Sequence, residues 1–118
     1  MSILATILIA VVAVLHAYFL ILEMFLWDKP AGMKAFRMTP EQAQNTKVLA
    51  ANQGLYNGFL AAGLLLGIIM GDRGYEFKLF FLCCVILAGC YGAATASKKI
   101  LYIQALPASL ALISVLLE

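Results

Sequence analysis

Apolar residues fall along this chain in four long runs, each closed by a short polar or helix-breaking stretch. The first covers residues 2–27 and stops at Trp27-Asp28-Lys29-Pro30, an aromatic, two charges and a helix breaker. Ser2 is placed to cap its start. Residues 31–38 read as a loop carrying Lys34 and Arg37. Thr39-Pro40-Glu41-Gln42 then opens a helix: Thr39 takes the N-cap, Pro40 the first helical position, and Gln42 completes a capping box. This helix is expected over 40–70, its first two turns polar. Gly71-Asp72-Arg73-Gly74 is a turn, residues 75–97 a third helix, and Lys98-Lys99 separates it from a fourth, 100–117, interrupted by Pro107. Each run is near the roughly 20 residues that span a bilayer.

Within the second run the pattern breaks. Ala50-Ala51-Asn52-Gln53-Gly54-Leu55-Tyr56-Asn57-Gly58-Phe59-Leu60 sets four polar side chains among small ones in an apolar context. In lipid each must find a partner. Gly54 and Gly58, then Gly63, Gly67 and Gly71, recur at every fourth position. Such stripes permit close helix approach, and Gly89, Gly92, Ala93 and Ala96 of the third helix are expected to answer them in an antiparallel pair.

Composition identifies the solvent. Of 118 residues 64% are hydrophobic and 12% charged, against about half and about a quarter in a soluble domain. A chain this short cannot hide so much apolar surface in its own core. The expected fold class is all-α: an integral membrane four-helix bundle in a single transmembrane domain, with the lipid bilayer as partner. The first run is too long, and lacks the basic start and small-residue cleavage site, for a signal peptide. A net charge of +2 gives no reason to expect nucleic acid. Cys83, Cys84 and Cys90 share one apolar run without a His cluster, so they read as packing residues and no metal site is expected.

Charge asymmetry sets an orientation. The connections after the first and third helices hold Lys29, Lys34, Arg37, Lys47, Lys98 and Lys99; the one between holds Arg73 and Lys78. The richer side is expected to be cytoplasmic, in a multi-pass protein of the bacterial inner membrane with both termini outside. Glu23 lies five residues before Asp28, about 7 Å inside that face at about 1.5 Å per residue. His16 shares its face, seven residues back. Asn45, Asn52 and Tyr56 share one face of the second helix; Gln53 and Asn57 form a strip beside it. Glu23, Asn52, Gln53, Tyr91, Thr95, Tyr102 and Gln104 all fall in the cytoplasmic half, while the outer half is nearly bare of polar groups. That asymmetry predicts a polar-lined cavity open to the cytoplasm. Glu23, Asn52, Gln53, Tyr56, Tyr91 and Gln104 are candidate ligand-binding residues; Glu23, Tyr102 and Lys98 are the candidates for catalysis. The bland alternatives are a Glu23 paired with Lys98 or Arg37, a neutral hydrogen-bonded His16, an interfacial Tyr102, and amides acting as interhelical glue. Asn57 reads as glue; for Asn52 and Gln53 both readings stand.

Two stretches resemble a known superfamily. Lys34-Ala35-Phe36-Arg37-Met38-Thr39-Pro40-Glu41 is similar to the cytoplasmic loop of MAPEG proteins (membrane-associated proteins in eicosanoid and glutathione metabolism), and residues 104–112 are similar to their fourth helix. Residues 51–60 fall where that superfamily carries Asn-Asp-x-Glu. The whole chain, with Leu22-Glu23-Met24-Phe25-Leu26-Trp27 and Asn52-Gln53-Gly54-Leu55-Tyr56-Asn57-Gly58, looks closer still to a family of small bacterial membrane proteins of unknown function. The resemblance implies a homotrimer with glutathione between subunits in the cytoplasmic half and a lipophilic second substrate. Here Ala51, Asn52 and Gly54 stand at the motif's Asn, Asp and Glu, and Lys47 is the one base in residues 45–56. Holding the two carboxylates of glutathione calls for Arg or Lys clamps. The expectation is therefore no cofactor, with glutathione the alternative that the resemblance leaves open. The leading function is binding of a small lipophilic molecule in cytoplasmic-side clefts between subunits. The rivals are a divergent MAPEG-type transferase or isomerase using Lys98 and Tyr102, and a structural or accessory membrane subunit.

Overall fold

The computed structural model describes residues 2–118, and the chain is all-α. Four long helical segments and one short helix follow in order: α1 (Ile3–Met24), α2 (Pro30–Phe36), α3 (Pro40–Met70), α4 (Tyr75–Thr95) and α5 (Leu106–Leu116). A 3-10 turn, Gly71–Gly74, joins α3 to α4, and a π turn, Leu101–Ala105, leads into α5. Two helical stretches among the described residues, Ile3–Met24 and Pro40–Thr95, are long and apolar enough to cross a membrane.

The helix starts follow from local chemistry. Ser2 Oγ accepts from the Ala5 N–H at 3.1 Å, one of the orphan donors of a first turn. At α3 the capping box forms as expected: Gln42 N–H donates to Thr39 Oγ1 at 3.2 Å and Thr39 N–H to Gln42 Oε1 at 2.9 Å. Residues 31–38 are not the expected loop. Pro30 stands at the first position of α2, where its fixed φ suits a helix and its missing N–H costs nothing. The same proline that bars continuation of α1 starts the next helix. α1 ends at Met24 and not at Trp27.

The chain forms two compact units: the N-terminal residues to Val14 with Leu60–Glu118, and Leu15–Phe59. In the first, Ala5, Ile9, Val12, Leu64, Leu82, Val85, Ala108, Ala111 and Val115 make a buried cluster. The end of α3 and the start of α4 form the expected antiparallel pair, with Gly67 beside Gly74 and Lys78, and Gly63 beneath the Phe81 ring. Lys78 is buried; its stem covers Gly67 and its ammonium donates to the Gly71 carbonyl at 3.1 Å. Gly89 and Gly92 do not answer the stripe on α3. They lie against Ala105 and Ile100, at the entry to the fourth segment. Pro107 explains the π turn just before it. A proline cannot donate to the carbonyl four residues back and its ring crowds that carbonyl; one wide turn relieves both.

Candidate functional site

The second unit pairs the end of α1 with the middle of α3. Its contacts run antiparallel: Leu20 meets Gly58, Glu23 and Met24 meet Gly54, and Trp27 meets Thr46. Glycine sets the spacing. A Cβ at Gly54 would stand 2.7 Å from Met24 Cγ, 3.0 Å from Glu23 Cβ and 3.2 Å from the Leu20 carbonyl oxygen. Side chains one position before each glycine are therefore brought up to α1. Those are Gln53 and Asn57, four residues apart on one strip of the helix.

Glu23 receives both. It is 2% exposed. Gln53 Nε2 donates to its Oε2 at 2.6 Å, and Asn57 Nδ2 donates to its Oε1 at 2.5 Å. A buried carboxylate without such donors would be strongly unfavourable. An ionised carboxylate has roughly four acceptor sites, so each oxygen keeps capacity beyond its amide. The partners of Glu23 are thus two amides, and not the Arg37 of the bland alternative. His16 is buried on the same face, its ring edge-on to Phe19 at 5.4 Å between centroids.

The turn that follows α1 is pinned to the first turns of α3. Trp27 Nε1 donates to Thr46 Oγ1 at 3.0 Å, and the Thr46 hydroxyl donates to the Gln42 carbonyl at 2.8 Å. Lys47 and Gln44 donate to Asp28 Oδ2 at 2.9 and 3.2 Å. The hydrogen bond from the Lys47 ammonium holds the Asp28 carboxyl below its usual range, and the Gln44 amide adds to that.

Of the residues singled out from the sequence, the structure joins Glu23 to Gln53. Asn52 and Tyr56 are exposed on α3, as is Asn45 on the same face, and Tyr56 lies beside Phe59. Tyr91, Lys98, Tyr102 and Gln104 belong to the other compact unit. There Tyr91, Lys98 and Tyr102 are exposed, and Gln104 is half-buried in the π turn. Asn57 is the site residue that a ligand-seeking reading omits. Its signal is the spacing: it follows Gln53 by four, one position ahead of the Gly54–Gly58 stripe. Among the described residues no group of three or more His, Cys, Asp or Glu gathers as a metal site would require.

Residues 10–116 match a family model described as "Protein of unknown function (DUF1304)". The chain is 36% identical over 116 residues to the uncharacterized protein YpaA of Lactococcus lactis subsp. lactis (strain IL1403), a match that covers 97% of this chain and 98% of that one. No solved structure matches.

Proposed function

The chain belongs to the DUF1304 family of proteins of unknown function, and from that premise we propose an integral membrane protein that binds a small, weakly polar lipophilic molecule beside Glu23, Gln53 and Asn57. The observation that carries the reading is a buried carboxylate held by two amides of α3, Gln53 exposed and Asn57 half-buried. Gln53 is exposed and spends its N–H on Glu23, which leaves its carbonyl oxygen as an acceptor. Asn52 and Tyr56 are exposed close by on α3. In lipid such groups need a partner. A hydroxyl or N–H of a lipophilic ligand, or a side chain of a second copy, supplies one.

Support for the membrane comes from the apolar residues that turn outward: Val14 at 66%, Ile69 at 79% and Leu87 at 72% exposed. A surface that apolar calls for lipid or a neighbouring subunit. The charge count favours a cytoplasmic face at α2 and both termini outside. The MAPEG resemblance favours a homotrimer in which the ligand lies between copies.

One observation favours a second reading. Both Glu23 oxygens are already engaged within the chain, at glycines shaped to admit them. On that reading the cluster is an interhelical clasp and the chain a structural membrane subunit. Organic extraction and mass spectrometry of protein purified from membranes separates the two. Ligand binding predicts a small molecule that stays with the wild type and is lost from a folded Asn52→Leu variant. A clasp predicts no such molecule in either.

A further inference from the structure

The connection between α1 and α3 carries more positive charge than its fold uses. Lys47 is committed to Asp28 at 2.9 Å. Lys29, Lys34 and Arg37 are exposed, and Glu41 is the one other acid in residues 25–47. Arg37 is held in the left-handed region, φ 52 and ψ 55, where it ends α2 with its N–H on the Lys34 and Met33 carbonyls. Among the described residues no other non-glycine has a positive φ. Helices commonly end this way on glycine, which lacks the Cβ that crowds the following carbonyl. An arginine kept there retains a guanidinium at the expense of backbone comfort, and that is a pointer to use. Beside it, the Trp27 and Phe36 rings pack tilted at 47° with centroids 4.7 Å apart, and Phe25 is exposed. Aromatic rings beside cations mark the level of lipid headgroups.

We propose that Lys29, Lys34 and Arg37 form a docking surface for the phosphates of anionic lipids, with Trp27 and Phe36 seated at the boundary of the acyl chains. The inference rests on the membrane reading above. Charge complementarity selects the occupant: three exposed cations, with Asp28 and Glu41 the acids of residues 25–47 and Asp28 already held by Lys47, suit an anionic leaflet, and the planar guanidinium suits a phosphate in bidentate contact.

The test uses the full chain in nanodiscs of phosphatidylcholine with and without phosphatidylglycerol, and native mass spectrometry of the lipids that remain bound. The wild type should retain phosphatidylglycerol selectively. Arg37→Gly should lower that retention about fivefold, the equivalent of roughly 1 kcal/mol per cation, while its unfolding temperature in phosphatidylcholine stays the same or rises. Lys34→Gln, on a regular exposed helical position, should lose as much without touching the backbone strain. Equal retention of both lipids, or full retention by both variants, overturns the proposal. Displacement of the lipid by inorganic phosphate overturns the membrane-surface assignment in favour of a soluble anion. A chain that does not enter nanodiscs overturns the membrane reading, and this inference with it.

Discussion

Gly54 faces Glu23 so closely that a Cβ on the glycine would stand 3.0 Å from the Cβ of the glutamate. That approach lets two short amides, Gln53 and Asn57, reach a carboxylate on the facing helix. Substituting Gly54→Val should push α1 and α3 apart and destabilise the protein by about 1–3 kcal/mol, as overpacking does. Thermal unfolding in detergent measures it. An unchanged melting temperature would mean that the contact is looser than described.

The amide pair makes an asymmetric prediction. Asn57→Leu leaves one buried Glu23 oxygen without its donor, at about 1–3 kcal/mol. Replacing Glu23, Gln53 and Asn57 together with Leu removes donors and acceptor alike and should cost less than the single change. The comparison is between melting temperatures of the single and triple variants. A triple variant worse than the single would show that Glu23 stabilises through something other than these amides.

Two glycines of the α3–α4 turn should behave differently. Gly71 has φ 62 with open space around it, so Gly71→Ala costs only backbone strain, about 1–2 kcal/mol. At Gly74 a Cβ would strike the Gly67 carbonyl oxygen, which is backbone and cannot step aside. Gly74→Ala should therefore cost clearly more than Gly71→Ala in the same unfolding assay.

Asp28 supplies a pH dependence. Its carboxyl is held below the ordinary range, chiefly by the Lys47 hydrogen bond. A depressed folded pKa contributes stability that is present above the unfolded pKa, about 3.9, and lost as pH falls through the lower folded value. The melting temperature should fall as pH drops below about 4, and Lys47→Gln should flatten that fall. An identical acid slope in the variant would remove the pair from the account.

Much of this was legible in residue order because it is local. Thr39, Pro40 and Gln42 write a helix start within four positions, and the structure forms that capping box. The start of α2 at Pro30 was hidden because one proline both bars a helix and begins another. The π turn at Leu101–Ala105 follows from Pro107, yet a proline there is equally compatible with a simple first turn. Glu23 was visible as a carboxylate in an apolar run; its donors were not, since pairing across 30 and 34 positions is a property of tertiary contact. The glycine spacing announced close packing without naming its partner: Gly54 meets α1, and Gly89 meets Ala105.

Native mass spectrometry of the protein released gently from its own membrane tests the central claim most directly. The proposal predicts a trimer that carries a small lipophilic molecule, lost when Gln53 is replaced by Leu. A monomer or dimer with nothing bound would contradict the intersubunit site and leave the Glu23 cluster as a clasp between helices.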